Sequence, residues 1–190
     1  DLAYGEILFS PDSKQLAFVW TGYLVINGIE VEDDSSGKSV GFAFSADSKR
    51  QAYCLSSGTY DERVVVDGIK GKRYWSVNKF KFSPDSKRYA YTATCAGCTY
   101  AVIDDKESLP YDEIRAINFS PDSNRVIYSA RKGRKWIVVV DGAQSDEYDE
   151  LVSPINSVFM GSKTPGFLAL RGSEIVRVEV AVTQPPHIPE

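Results

Sequence analysis

The 190-residue chain carries one histidine, three cysteines and one methionine. The single histidine, His187, stands in a stretch with three prolines between Gln184 and Glu190. A Ser-His-Asp or Cys-His machine needs an imidazole held against its nucleophile by the fold, so a tail histidine is expected to be exposed and non-catalytic. The same scarcity removes the usual nitrogen-and-sulfur ligand sets for zinc, copper or iron. No apolar run approaches the roughly 18 residues of a spanning helix, so no membrane insertion is expected. Basic excess is also missing. The net charge is -4, which speaks against nucleic acid as a partner. The four basic residues Arg131, Lys132, Arg134 and Lys135 read as a solvated hairpin tip. No phosphate-binding glycine loop and no EF-hand pattern occurs. Sustained helical periodicity is absent as well, which leaves strands.

What is present is a repeat. Phe9-Ser10-Pro11-Asp12-Ser13-Lys14 returns at Phe44, Phe82 and Phe119, after steps of 35, 38 and 37 residues. An eroded fifth copy starts at Phe159, 40 residues further on. Each Phe-Ser block is followed by an apolar–aromatic run such as Tyr89-Ala90-Tyr91 or Val126-Ile127-Tyr128. A β-branched run then ends in a turn signal, as in Val64-Val65-Val66-Asp67-Gly68 and Val138-Val139-Val140-Asp141-Gly142. Tyr-led segments at Tyr74, Tyr111 and Tyr148 close several units. Four short β-rich blocks per unit read as four strands. Proline presets φ for the first inner position of a type I turn, and Asp-Gly accepts the positive φ of a tight hairpin. Such a sheet cannot hide both faces alone, so the units are expected to stack radially as blades, with the Phe of every Phe-Ser block in the core.

The Phe-Ser-Pro-Asp-Ser-Lys-Arg-x-Ala-Tyr pattern resembles the WD-like β-propeller repeat of the TolB type, over residues 1–160 well and 161–183 poorly. The resemblance implies an all-β, five-bladed propeller of four-stranded antiparallel blades. It implies little about activity, because function lives in sites and not in folds. A single propeller domain is expected over residues 1–183, with 184–190 as a Pro-rich tail. Leu2 to Glu6 matches the Tyr-led strand loosely, and the N-terminal strand is expected to complete the last blade. The absence of an initiator Met suits a mature periplasmic or secreted protein or a trimmed chain.

Cys95-Ala96-Gly97-Cys98 flanks an expected two-residue hairpin tip, with Cα atoms in disulfide range. A cross-hairpin disulfide between Cys95 and Cys98 is favoured, with two reduced thiols as the alternative. Cys54 reads as a packed strand residue. Paired acids occur at Asp33-Asp34, Asp61-Glu62, Asp104-Asp105, Asp112-Glu113 and Asp146-Glu147, mostly at turns or on outer strands. No residue is assigned to catalysis, to a cofactor or to a metal. The function expected is a non-enzymatic, monomeric binding or scaffold module for a protein or small ligand. Its specificity would lie where the repeat is interrupted, at Glu30–Lys38, Ser56–Glu62 and Ser153–Asn156. A carboxylate-dependent hydrolase or lyase, or the propeller part of a larger enzyme, is the alternative.

Overall fold

A computed structural model describes residues 6–20, 23–31, 38–152 and 166–179. All of its regular structure is β, in five consecutive antiparallel sheets. The first holds β1 (Glu6–Phe9), β2 (Leu16–Trp20), β3 (Tyr23–Ile26) and β4 (Ile29–Glu30). The second holds β5 (Lys38–Phe44), β6 (Gln51–Ser56), β7 (Glu62–Val66) and β8 (Ile69–Lys70). The third is β9 (Ser76–Phe82), β10 (Tyr89–Cys95), β11 (Cys98–Ile103) and β12 (Lys106–Glu107). The fourth is β13 (Glu113–Phe119), β14 (Val126–Lys132), β15 (Lys135–Val140) and β16 (Ala143–Gln144). The last is three-stranded, with β17 (Glu150–Leu151), β18 (Gly166–Arg171) and β19 (Glu174–Glu179). Strand order follows chain order in every sheet, as four hairpin-linked β blocks require.

The Phe-Ser-Pro-Asp-Ser block joins the first two strands of a sheet. In the third sheet the Ser86 N–H donates to the Ser83 carbonyl at 2.8 Å, and Ser86 takes a left-handed φ of 65°. Asp85 Oδ1 accepts from Ser83 Oγ at 2.6 Å and from the Lys87 N–H at 3.1 Å, which fixes the turn from inside. The third and fourth strands are joined by a tight turn with both φ positive: 52° and 82° at Asp67-Gly68, and 48° and 63° at Asp104-Asp105. Aspartate tolerates that region because its carboxylate bonds locally. Asp104 Oδ1 accepts the Tyr89 N–H at 3.0 Å, as Asp67 Oδ1 does for Gln51 and Asp141 Oδ1 for Val126.

The chain changes sheet between Tyr and its successor. Tyr74 bridges back to Glu62, Tyr111 to Thr99 and Tyr148 to Trp136, whereas the Trp75 N–H donates forward to the Thr94 carbonyl. The tyrosine rings are buried between sheets. Tyr74 Oη reaches Glu107 on the next sheet's outer strand at 2.8 Å, and Gln144 Nε2 reaches Tyr111 Oη at 3.0 Å. The core is therefore a series of interfaces. Ala52, Val64 and Val66 of the second sheet pack on Tyr89 and Tyr91 of the third. Ala90 and Ala101 pack on Ile117, Val126 and Tyr128 of the fourth. Ile127 and Val138 pack on Phe167 and Ala169 of the last.

First strands lie innermost, β5 against β9 and β9 against β13. Lys79 Nζ donates to the Ile114 and Arg115 carbonyls at 2.8 and 2.5 Å, and Lys81 Nζ contacts Asn118 Oδ1. Lysines thus occupy the inner edges, and desolvation holds both ammonium groups below their ordinary pKa.

Two expectations need revision or lie out of reach. Phe44, Phe82 and Phe119 are half-buried, but Phe9 is 65% exposed, because among the described residues no sheet lies over the face of the first sheet that carries it. The fifth Phe-led block at Phe159 and the N-terminal closing residues 1–5 lie outside the described residues, and among the described residues no strand pairing links the last sheet to the first.

Candidate binding face

The stacked sheets present two rims of different character. One carries the Ser-Pro-Asp-Ser turns, and its polar groups are used to join sheets. The Asp12 N–H donates to Ser48 Oγ at 3.0 Å, Asp47 to Ser86 at 3.0 Å, and Asp85 to Ser123 at 2.9 Å. Arg50 Nε pairs with Asp67 at 2.8 Å, its Nη1 donates to the Ser86 and Lys87 carbonyls, and its guanidinium lies 5.3 Å from the Phe82 ring centroid. Arg88 repeats this with Asp104, the Asn124 carbonyl and Phe119. Hydrogen bonds from the serine hydroxyls and the turn amides hold the carboxyls of Asp12, Asp47, Asp85 and Asp122 below the ordinary aspartate range. A carboxylate that recurs in four turns and anchors each of them is structural.

The other rim carries the second-to-third-strand hairpins and the crossovers between sheets, and its residues differ from sheet to sheet. The fourth and last sheets turn at Gly133-Arg134 and Gly172-Ser173, where each glycine has a positive φ. The residue after the crossover tyrosine caps each turn: Asp112 accepts from the Gly133 N–H at 2.5 Å and Asp149 from Gly172 at 2.7 Å. Lys135 pairs with Asp149 at 2.6 Å and Arg131 with Glu113 at 3.2 Å, so two of the four basic tip residues are neutralised locally. Lys132 and Arg134 are exposed.

At the junction of the second and third sheets the pattern breaks twice. The capping aspartate is replaced by Trp75, and the hairpin of the second sheet is a longer loop, residues 57–61. The Ser57 N–H closes it onto the Asp61 carbonyl at 2.9 Å, and Arg73 ties it from the crossover through Asp61 and Ser57 Oγ. Tyr60 sits in the left-handed region at φ 64°, which is uncommon for a bulky side chain and marks a position fixed by its surroundings. Its ring stands 5.4 Å from Trp75, tilted by 55°. Both rings face water, Tyr60 at 69% and Trp75 at 43% exposure. Aromatic rings of this kind bring large contact area at small entropic cost, which is why they dominate binding hot spots.

The Cys95-Ala96-Gly97-Cys98 tip lies on the same rim. Cys95 and Cys98 are register partners, Ala96 and Gly97 have φ of 51° and 80°, and both thiols are free in this structure. Cys54 packs against the interface of the second and third sheets, where burial pushes its thiol up to about 12. Of the three repeat interruptions, Ser56–Glu62 forms the aromatic site, residues 32–37 and 153–156 lie outside the described residues, and so do Asp33-Asp34 and His187. The Asp104-Asp105 pair is a tight turn, and Asp146 pairs with Arg171 at 3.0 Å. Among the described residues no three His, Cys, Asp or Glu side chains are grouped to hold a metal ion.

The sequence did hold a signal for the aromatic site. The residue after the crossover tyrosine reads Trp75, Asp112 and Asp149, and only the first departs from a turn cap.

No protein-family model matches the chain, and no curated protein sequence does. Solved structures do. The chain is similar to a eukaryotic initiation factor at a TM-score of 0.53 and 16% identity, over 79% of this chain and 44% of that one. It is similar to the Dos1 propeller at a TM-score of 0.51 and 10% identity, over 76% and 46%. A TolB-like protein from Agrobacterium tumefaciens aligns at a TM-score of 0.45 and 16% identity, over 89% and 71%. The chain spans less than half the length of the first two. Likeness at these identities is one of architecture: the chain has the β-propeller fold, as its likeness to the Dos1 propeller shows.

Proposed function

We propose that this chain is a non-enzymatic binding or scaffold module that presents its crossover rim, with Tyr60 and Trp75 at the centre, to a protein or small ligand. One observation carries the reading. An exposed aromatic pair, braced by the Arg73–Asp61 tie and a left-handed Tyr60, stands where the repeat elsewhere places a turn-capping aspartate. The site acts as a monomer and outside the cytoplasm, in keeping with the TolB-type repeat.

The test is a screen of immobilised glycans and peptides with the intact chain, followed by Trp75→Ala and Tyr60→Ala. Any specific binder is expected to lose at least about tenfold in affinity, the scale of a hot-spot truncation, with the melting temperature nearly unchanged. A binder whose affinity is the same for Trp75→Ala places recognition elsewhere.

A carboxylate-dependent hydrolase would need an acid with a raised pKa. Among the described residues the carboxyls with a resolved displacement, those of the four turn aspartates, Glu107 and Asp149, are lowered, by hydrogen bonds to Ser, Lys or Tyr partners. This supports the binding reading. Turnover of a glycoside, ester or phosphoester that vanishes on Asp61→Asn or Glu62→Gln would overturn it.

A further inference from the structure

The crossover rims of the last three sheets correspond bond for bond. The N–H groups of Trp75, Asp112 and Asp149 donate to the carbonyls of Thr94, Arg131 and Leu170. Ser76 then pairs with Thr94, Glu113 with Arg131 and Glu150 with Leu170. The hairpins close on Cys95 and Cys98, on Lys132 and Lys135, and on Arg171 and Glu174. On the fourth sheet all of these positions are charged: Asp112, Glu113, Arg131, Lys132 and Lys135. On the last sheet only Leu170 is not. On the third sheet none is: Trp75, Ser76, Thr94, Cys95 and Cys98. Of these three rims, the one that carries the aromatic pair is the one stripped of charge.

The charges that do stand beside Tyr60 and Trp75 cancel or are engaged. Arg73 and Asp61 form an ion pair whose side chains stay 46 and 36% exposed, so a ligand can reach both. Glu62 Oε2 accepts the Val77 N–H at 2.7 Å. A charged ligand would meet no counter-charge here and would lose hydration without return. A purely apolar one would dehydrate the edges of Arg73 and Asp61. A proline-rich segment has no N–H to give the Asp61 carboxylate. Strand addition needs a row of open amides, yet the Ser57 N–H is given to Asp61 and that of Trp75 to Thr94. A sugar meets both demands. Its C–H face stacks on the electron-rich face of an aromatic ring, and its hydroxyls each donate and accept.

We propose that the occupant of the Tyr60–Trp75 site is an uncharged glycan, an inference that rests on the binding reading above and narrows it to one ligand class. A sugar ring packs on Trp75 and Tyr60, whose ring centroids stand 5.4 Å apart with planes tilted by 55°. Two adjacent hydroxyls of that ring meet the ion pair, one donating to the Asp61 carboxylate and the other accepting from the Arg73 guanidinium. The tie of Arg73 to Asp61 and to Ser57 Oγ holds the loop that carries Tyr60, so the ring is in place before the ligand arrives. The uncharged rim of Ser76, Thr94, Cys95 and Cys98 lets a neutral chain pass without stripping water from fixed charges.

The experiment presents the intact chain with neutral gluco-, manno-, galacto- and N-acetylchito-oligosaccharides, sulfated and uronate oligosaccharides, and proline-rich peptides. A neutral oligosaccharide is expected to bind, with an affinity that changes less than about twofold between about 0.05 and 0.5 M salt. Trp75→Asp, which restores the residue of the other two crossovers, is expected to lower that affinity at least about tenfold with the melting temperature nearly unchanged. Deoxy analogues locate the hydroxyl that meets Asp61: its removal is expected to weaken binding to the parent and to leave binding to Asp61→Asn unmoved. A neutral glycan that binds Trp75→Asp as well as the parent overturns the proposal. So does a Trp75-dependent ligand that is anionic and weakens more than about tenfold over that salt range. A Trp75-dependent peptide overturns it too, while leaving the binding-module reading intact. No Trp75-dependent binder in any class overturns both.

Discussion

Replacing Ser86 by alanine isolates a single hydrogen bond between two sheets. Ser86 is 2% exposed, and its hydroxyl accepts the Asp47 N–H at 3.0 Å. Its other bonds run through the backbone: its N–H donates to the Ser83 carbonyl, and its own carbonyl accepts from Arg50. Alanine removes only the acceptor and leaves a partly buried amide without a partner, a loss of about 1–3 kcal/mol. The backbone strain of a left-handed residue is present before and after substitution, and Ser13→Ala supplies the control. Ser13 has the same turn and φ of 59°, but its hydroxyl is exposed and receives no amide from a preceding turn among the described residues. For a chain of this size 1 kcal/mol moves the midpoint by roughly 2–4 °C, so Ser86→Ala should melt about 2–12 °C below Ser13→Ala. Differential scanning calorimetry on the two variants and the parent measures this directly. Equal melting temperatures for the two variants would refute the idea that the aspartate-to-serine relay joins the sheets.

Acid should act through the same turns. The folded-state pKa values of Asp12, Asp47, Asp85 and Asp122 are depressed, so their contribution is complete above the ordinary value of about 3.9 and is lost as pH falls through the lower folded values; melting temperature should be flat from pH 7 to about 5 and fall below about 4. Asp47→Asn should lower stability at neutral pH and flatten the acid slope, as read by melts across that range. Protein isolated from an oxidising compartment without reductant should show one titratable thiol after denaturation, because Cys95 and Cys98 pair, and three thiols would contradict the pairing. In reduced native protein at pH 8, a thiolate-seeking reagent should modify Cys95 and Cys98 well before Cys54, whose thiol is held at about 12 by burial.

The fold was legible because the repeat prints its own turn chemistry. Pro11, Asp12 and the Asp-Gly pairs each mark a backbone conformation that few residues adopt, and period then placed the strands between them. Phe9 was misread for the reason that makes repeats readable: identical motifs suggest identical surroundings, yet burial depends on what lies next door. Phe82 has Val64 and Val66 over it and Phe9 has no counterpart to them among the described residues, and no residue within the block encodes that difference. The Asp47 to Ser86 relay was equally hidden, since both residues already had a sufficient explanation inside their own turns. Tyr60 and Trp75 come together across 15 positions of sequence through a crossover, and hydropathy patterning gives no hint that their rings meet.

Gln15 occupies the position that Arg50 and Arg88 hold in the next two sheets, and the substitution has a mechanical consequence. Gln15 reaches the second sheet through one side-chain bond, to the Ser48 carbonyl at 2.7 Å. Arg50 joins the third sheet through two carbonyls and spreads its guanidinium over the Phe82 and Tyr89 rings. The grooves between successive sheets measure about 520 Å³ beside Gln15, about 260 Å³ between the second and third sheets and about 420 Å³ between the third and fourth, so groove size does not follow this substitution and the difference rests on the bonds. The series therefore has a weak seam at its first joint, and thermal opening should start there and run toward the centre. Amide exchange would record it as a gradient of protection, with β2 and β3 exchanging before β6 and β7, and those before β10 and β14.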